Sequence, residues 1–383
     1  MKKRICIVAE DYPSQDRPNY PFVQELARGL TGEGFECYVI APQSLSKALI
    51  RREKVLKKRT IDLDKNNRKI IVYRPYIITF SNIQSRILSA LTSFLYQKAI
   101  AGTIKKIRNL QYVYCYFWHI GLITAKSLQQ QRMKLFVQAS ECDISINESY
   151  RTRENLSRIA GVVCASKKNY DESKNFGLIT SQSNTVIIPN GFRKEEFYPM
   201  DKYEARNKMG IAPDVFVVAF VGDFNERKGT ARLSKALDRF DDVYSIFIGK
   251  GNIEPTCKNI LFKGTVPHEQ LVQYLNCADI FVLPTQAEGC CNAIIEAVAC
   301  GLPVVSSNKP FNDEILDDSY SIRIDENNID EIAQAISDLK ENRSFREQMS
   351  ACAIHASVRL TMEKRINSVI SFLESSGTAS ENK

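Results

Sequence analysis

Residues 288–305 read EGCCNAIIEAVACGLPVV, and the fold follows from how this segment must be built. Glu288 and Glu296 stand eight positions apart around the turn Gly289-Cys290-Cys291-Asn292, and an apolar run from Ala293 to Cys300 follows. Gly301 and Pro303 form a helix stop, because glycine accepts the left-handed position after a helix and proline cannot continue it. Ala293, Ile294, Ile295, Ala297 and Val298 make the helix apolar almost all round, which predicts burial. Its N-terminus then points into the protein at a loop where Gly289 permits close backbone approach. Free N–H groups there form an anion site, flanked by one carboxylate on the loop and one on the helix. Amides suit phosphate and carboxylates suit diols, so the expected ligand carries a phosphate and sugar hydroxyls.

At 383 residues the chain exceeds what one core usually fills, so two domains are expected. Charged residues are 25% and hydrophobic ones 44%, the balance of a soluble globular protein. No stretch approaches the roughly 20 apolar residues of a membrane helix. Met1-Lys2-Lys3-Arg4 is basic, but the apolar run Ile5–Ala9 is cut short by Glu10 and Asp11. It reads as a first strand, not a signal peptide. Eleven cysteines, an odd count with no CxxC pair, fit reduced thiols in a cytosolic protein better than disulfides or zinc.

Strand and helix patterns alternate. Short apolar or β-branched runs at 4–9, 36–40, 70–73, 112–116, 135–138, 161–165 and 185–188 are separated by helical stretches, notably 22–33, 84–108, 121–130 and 167–175. This is one α/β unit with a mostly parallel sheet. A second unit runs through strands at 215–221, 244–248, 260–262, 280–283 and 304–306. The turn-rich segment 190–212 lies between them, so the expected domains are 1–195 and 196–361, with a helix and tail at 362–383. Residues 375–383 are polar and expected to fray.

The segment Glu-x7-Glu followed by Ala-x-Ala-x-Gly-x-Pro-Val-Val, set between Leu283-Pro284-Thr285 and Gly301-Leu302-Pro303-Val304-Val305, resembles the donor-site signature of the retaining family-4 glycosyltransferases. That resemblance implies the GT-B fold: two Rossmann-like domains facing across a cleft, with the C-terminal helix crossing back to the first. Further segments carry it across nearly the whole chain. Ile187-Ile188-Pro189-Asn190-Gly191-Phe192 with Phe197-Tyr198-Pro199 is similar to the family's strand-to-linker signature. Val221-Gly222-Asp223-Phe224-Asn225-Glu226-Arg227-Lys228-Gly229 looks like its diphosphate loop. Gly249-Lys250-Gly251 and Gly264-Thr265-Val266-Pro267 match later strand ends, the second of which lies beside the nucleotide base in relatives.

The resemblance implies a donor site of Gly222, Asp223, Arg227, Lys228, Thr265, Val266, Glu288, Gly289, Cys290, Cys291, Asn292, Ala293 and Glu296. Glu296 would bind the donor ribose, Glu288 the transferred sugar and Lys228 the diphosphate. One departure matters: many relatives have arginine where this chain has Asp223, and a carboxylate cannot stabilise a diphosphate. Either Arg227 takes that work beside Lys228, or Asp223 turns to the base or sugar.

The first domain departs further. The loop Asp11-Tyr12-Pro13-Ser14-Gln15-Asp16-Arg17-Pro18-Asn19-Tyr20-Pro21-Phe22 looks like a variant found in cell-surface polysaccharide enzymes, which would put Asn19, Tyr20 and Phe22 at the acceptor. Ser140-Glu141-Cys142-Asp143 stands where relatives often have His-Gly-x-Asp, placing Glu141 there too. His119, in Tyr116-Phe117-Trp118-His119, follows a strand, where parallel sheets place ligands. Two readings stay open for it: a residue that orients the acceptor or the transferred sugar, or a loop histidine packed on Trp118. His268, before a helix, reads as exposed, and His355 is no candidate.

No metal site emerges. Asp62-Leu63-Asp64 matches the Asp-x-Asp of metal-dependent transferases, but it sits among Lys57, Lys58, Arg59 and Lys65 and reads as solvated surface. Leaving-group charge would then fall to Lys228, Arg227 and the helix N-terminus. The net charge of +8 is local: residues 47–69 hold ten lysines and arginines against Glu53, Asp62 and Asp64. The apolar positions of 82–108 (Ile83, Ile87, Leu88, Leu91, Phe94, Leu95, Ile100) follow. An anionic membrane surface and a solvated face over a core helix are equally good readings, and nucleic-acid binding lacks a module.

Taken together, these features lead to a retaining, metal-independent glycosyltransferase, cytoplasmic or peripheral at the inner membrane face. It would need no cofactor beyond its nucleotide-sugar substrate, UDP-sugar ahead of GDP-sugar. The acceptor would be a glycan or lipid-linked hydroxyl in surface polysaccharide synthesis. Alternatives are a nucleotide-sugar epimerase of the same fold, or a non-catalytic glycan- or nucleotide-binding module.

Overall fold

Two parallel sheets organise the chain. The computed structural model describes residues 2–14, 16–17, 19–80, 85–128 and 133–376. Gln15 and Pro18 of the first loop, Ile83, the expected helix ends at 84 and 129–130, and the tail from 377 lie outside the described residues.

The first domain carries strands β1 (Arg4–Val8), β2 (Glu36–Ile40), β3 (Gln43–Ser44), β4 (Arg59–Leu63), β5 (Lys69–Tyr73), β6 (Tyr76–Ile77), β7 (Tyr112–Tyr116), β8 (Lys134–Ala139), β9 (Ile159–Cys164) and β10 (Thr185–Ile187). Its helices are α1 (Pro21–Gly32), α2 (Leu45–Arg51), α3 (Arg86–Ile104), α4 (Trp118–Ser127), α5 (Arg153–Ser157) and α6 (Lys167–Asn175). The main sheet runs β10-β9-β8-β7-β1-β2-β5-β4, parallel except for the edge pair β4–β5. Its central strands read as continuous apolar runs because helices cover a parallel sheet on both faces, and Ile5 through Val8 are fully buried. The strand order reverses between β1 and β7, so the loops leaving those two strands open a crevice.

Two expectations are corrected here. Asp62 and Asp64 are not solvated surface. Asp62 lies on β4 and accepts hydrogen bonds from Tyr12 Oη (2.6 Å), Gln24 Nε2 (2.9 Å) and Arg28 Nη2 (2.9 Å). Asp64 is buried in the β4–β5 turn and pairs with Arg68 Nε at 2.7 Å. The surrounding lysines suggested solvation, but Arg28 and Arg68 are what these carboxylates serve. Helix α4 begins at Trp118 rather than 121, because Phe117, at φ 73° and ψ 150°, breaks the chain immediately after β7.

The second domain holds α7 (Lys202–Met209), β11 (Phe216–Val221), α8 (Thr230–Leu237), β12 (Val243–Ile248), β13 (Ile260–Gly264), α9 (Leu271–Cys277), β14 (Ile280–Leu283), α10 (Asn292–Ala299), β15 (Val304–Ser307), β16 (Ser321–Ile324), α11 (Ile329–Glu341) and α12 (Arg343–Ser357), and α13 (Met362–Ser375) follows, most of it grouping with the first domain. Its sheet, β13-β12-β11-β14-β15-β16, is parallel throughout and reverses between β11 and β14. The doubly wound order again points ligands to the loops leaving two adjacent strands. Helix α10 is buried from Ile294 to Ala299, and Gly301 takes the left-handed φ of 79° that ends it.

Compact packing divides the chain after Ile188 and again after Arg365, with Ser166–Lys168 grouping with the second unit. The linker residues Phe192 and Phe197 are buried in the second domain's core, which draws 189–195 into that domain. Residues 366–376 group with the first domain. There Phe372 packs edge-on against Phe136 at 5.8 Å. All eleven cysteines are free thiols.

Candidate active site

In the second domain the site is built from the loops after β11 and β14. The β11 loop turns tightly against the loop after β12: a Cβ on Gly249 would stand 1.9 Å from the Gly222 carbonyl oxygen, so only glycine fits. Phe224, fully buried, pins the turn, and its N–H donates to the Lys250 carbonyl at 2.9 Å. Asp223 is left exposed on the outside of this turn. Arg227 and Lys228 follow, with Gly229 at φ 82° capping α8.

Both cations reach across to the β14 loop and converge on one atom. Glu288 Oε1 accepts from Lys228 Nζ at 2.7 Å, Arg227 Nη1 at 3.0 Å and Thr285 Oγ1 at 2.8 Å. Lys228 and Glu288 are nearly inaccessible, at 12% and 11% side-chain exposure. Burial works against the ammonium, yet the Glu288 carboxylate beside it holds its pKa above the ordinary lysine value. Lys228 is therefore a buried permanent cation, not a solvated lysine. Burial also pushes the Cys291 thiol up to about 11 despite Lys228 beside it, so that thiol is neutral.

Cys291 occupies the N-cap of α10 and makes no side-chain capping bond. The capping oxygen of Ser, Thr, Asp or Asn is missing there, as suits an end that receives an anion. Asn190 braces the turn: its N–H donates to Cys290 Sγ at 3.3 Å and its Nδ2 to Asn292 Oδ1 at 2.8 Å. Gly289 lies in the same turn, and Ala293 is half-buried on the first turn of the helix. One turn on, Glu296 is buried, which raises its pKa, and its Oε1 meets His268 Nε2 at 3.1 Å, which opposes that rise. His268 is exposed as expected, but it faces a site carboxylate. Thr265 and Val266 lead up to it from the end of β13, exposed and half-buried respectively.

The first domain assembles a second cluster at its own crevice. His119 Nε2 stands 2.8 Å from Glu10 Oε1, and Tyr20 Oη donates to Glu10 Oε2. Burial disfavours the Glu10 charge, but His119 and Tyr20 outweigh it and hold the carboxyl at about 2. Two non-glycine residues with positive φ flank the pair, Tyr20 at 60° and Phe117 at 73°. Such strain persists only where surrounding contacts enforce it. Phe117 stacks on His119 at 6.4 Å, and Phe22 packs on Tyr20 at 5.3 Å and Tyr116 at 5.2 Å. Trp118 turns into the core, donating to Ser173 Oγ at 2.8 Å, so His119 is not packed on it in the way one reading supposed. Glu141 accepts from the Trp118 and Ser140 backbone N–H groups, and burial raises its pKa. It closes the N-terminus of α4 and supports the turn that presents His119. Asn19 is exposed at the mouth of an adjoining cavity.

Two site residues escaped the sequence reading, Glu10 and His268. Each had a signal: Glu10 is the first carboxylate after β1, and His268 follows Thr265 and Val266 at the end of β13, which the sequence had already marked. No group of three or more potential metal ligands occurs among the described residues.

Residues 201–355 match the model of the family described as glycosyl transferases group 1. A Bacillus subtilis protein named as a teichuronic acid biosynthesis glycosyltransferase, TuaC, is 25% identical over 327 residues, covering 80% of this chain and 81% of its own. Against four further curated relatives the chain spans 31–55% of their length. Among solved structures, sucrose-phosphate synthase from Thermosynechococcus elongatus superposes with a TM-score of 0.75 at 16% identity, over 98% of this chain and 99% of that one. Anabaena HepE in complex with UDP gives 0.70 at 16% identity, over 98% and 100%. With the two doubly wound domains and the loops at their switch points, these likenesses give residues 201–355 the pattern of the glycosyl transferases group 1 and the chain the GT-B fold of those solved structures.

Proposed function

We propose that this enzyme retains anomeric configuration while moving a sugar from a UDP-sugar to a hydroxyl of a glycan or lipid-linked acceptor in surface polysaccharide synthesis. The observation that carries the reading is the convergence of Lys228 and Arg227 on Glu288 beside the uncapped start of α10. Two fixed cations and a helix N-terminus meet the charge of a departing diphosphate, and preorganised donors of this kind supply much of a transferase's rate. In this reading Glu296, one helical turn further, accepts ribose hydroxyls, and Glu288 touches the transferred sugar through its second oxygen. His119, held by Glu10, orients the acceptor or the sugar, with Tyr20, Asn19 and Phe22 around it. In support of UDP, HepE was solved with it. In support of a surface glycan as acceptor, TuaC carries teichuronic acid synthesis in its name.

Incubation with a panel of UDP- and GDP-sugars, with and without EDTA, tests the scheme. Slow release of UDP that EDTA does not change, and a product of unchanged anomeric configuration by NMR, are expected. Epimerised sugar would make the protein an isomerase, and an EDTA-sensitive reaction would sink the charge assignment to Lys228 and Arg227.

The enzyme acts at the inner face of an anionic membrane. Among the described residues no helix is long and apolar enough to cross one. Support for surface contact comes from helices α2 and α3, which both adjoin β6 and expose Leu49, Ile50, Ile87 and Phe94, and from the Lys58 ammonium, 4.9 Å from the ring centre of Tyr76 on β6. Cations near such a surface contribute about 1 kcal/mol each. Replacing Lys57, Lys58 and Arg59 by Gln should reduce binding to phosphatidylglycerol vesicles and leave donor hydrolysis intact. Vesicle binding that salt does not weaken would count against it.

A further inference from the structure

Beside the Glu10–His119 pair, the first domain holds a cavity of about 270 Å³, and the scheme above gives no role to Arg17, Gln43 and Lys47 in its lining. It is entered past Asn19 and walled by the rings of Tyr20 and Tyr96. Its volume lies just below the ~300–1,000 Å³ of drug-sized sites, so it suits one sugar ring rather than a length of glycan.

The polar lining is unbalanced in one respect. Glu10 is taken up by His119 and Tyr20, with Lys47 also drawn to its charge, and Glu53 by Arg17 at 3.3 Å and Arg51 at 3.8 Å. Donors remain unmatched. Gln43 is 4% exposed; its Oε1 accepts from the Leu56 N–H at 3.1 Å, but its Nε2 has no partner. Arg17 Nε is also buried without one. A buried amide without an acceptor costs about 1–3 kcal/mol, which a ligand oxygen would recover. Lys47 lines the same cavity. Glu10, Asp11 and Glu53 line the space as well as Arg17, Lys47 and Arg51; with Glu10 and Glu53 already engaged, the unmatched amide and guanidinium N–H groups beside the Lys47 ammonium favour an anionic acceptor group, with Asp11 left for a hydroxyl.

From this arrangement we infer that the cavity is a subsite for an acidic sugar, one bearing a carboxylate or a phosphate, with Lys47, Arg17 and Gln43 as its specificity residues. The inference rests on the transferase reading and names the chemistry of its acceptor.

Ligand-observed NMR on the full chain, at fixed ionic strength, tests it with methyl β-glucuronide, glucose 6-phosphate and methyl β-glucoside. One charged hydrogen bond should make an acidic probe bind roughly tenfold tighter than the neutral one. Binding of the glucuronide alone, or of the phosphate alone, identifies the anion. Lys47→Gln should bring the acidic probe to the neutral level, and Gln43→Leu should weaken it while the melting curve shows each variant folded. Equal binding of acidic and neutral probes, no detectable binding of any, or indifference to Lys47→Gln overturns the inference. If that happens in a protein that still binds UDP and releases it from a UDP-sugar, only the subsite fails. Loss of UDP binding and turnover would instead sink the transferase reading.

Discussion

Neutralising Glu288 should tighten the grip on nucleotide diphosphate. Its Oε1 holds Lys228 at 2.7 Å and Arg227 at 3.0 Å, the two cations assigned to the diphosphate. At an effective dielectric near 20, the Lys228 contact alone is a gross attraction of about 6 kcal/mol. An incoming diphosphate must compete with that attraction or sit beside the carboxylate and be repelled by it. The sign is the same either way. Glu288→Gln keeps the shape and removes the charge, and Thr285 and both cations can still reach an amide oxygen. If the net gain is one charged hydrogen bond, about 1.5–3 kcal/mol, UDP should bind roughly 10- to 150-fold tighter. Titration calorimetry with UDP and with uridine checks this: UDP affinity should rise and uridine affinity should not move. Turnover should fall, because the sugar contact is lost and the product leaves more slowly. UDP binding that is weaker in Glu288→Gln than in the parent would refute the reasoning, since the carboxylate would then be helping to hold the nucleotide.

Lys228→Ala should cut kcat roughly 10²- to 10³-fold, and Arg227→Ala less, because Arg227 is more exposed than Lys228; steady-state donor hydrolysis measures both. Glu296→Ala should cost about 1.5–3 kcal/mol for each ribose hydroxyl it held, and His268→Ala less, with calorimetry on UDP as the check. Glu10, held at about 2, stabilises the fold above the ordinary carboxylate range and loses that contribution as pH falls. The urea midpoints of the parent and Glu10→Gln should therefore differ at neutral pH and converge between about pH 5 and pH 2. A gap that persists at pH 2 would show that packing, not charge, is what the variant disturbs.

The second domain's half of the candidate site was legible because backbone rules write it. Gly301 and Pro303 end a helix, an apolar face buries it, and the spacing from Glu288 to Glu296 follows from where that helix starts. The first domain's site was less so. His119 was visible only as a histidine after a strand, and its partner Glu10 lies more than a hundred residues earlier. What joins them is the adjacency of β1 and β7, a fact of strand order that no local pattern carries. Local charge misled at Asp62 and Asp64, since a basic stretch looks solvated whether or not its carboxylates are held, as Asp62 is by Arg28 of α1 and Asp64 by Arg68 of its own turn. The direction of Phe117 was also hidden: a positive φ at an aromatic residue has no signature in sequence, and it decides that Trp118 points inward while His119 points to Glu10.

The free thiols turn the molecule into its own unfolding clock. Cys6, Cys37, Cys115 and Cys164 are buried in the first domain's sheet, and Cys257, Cys277, Cys291 and Cys300 in the second domain. A thiol reagent reaches none of them until the surrounding domain opens, so labelling under native conditions reads opening and not surface chemistry. Cys142, Cys290 and Cys352 are half-buried and would label first. Mass spectrometry of pulse-labelled peptides would then assign each opening event to one domain, in the native sequence and with no probe introduced.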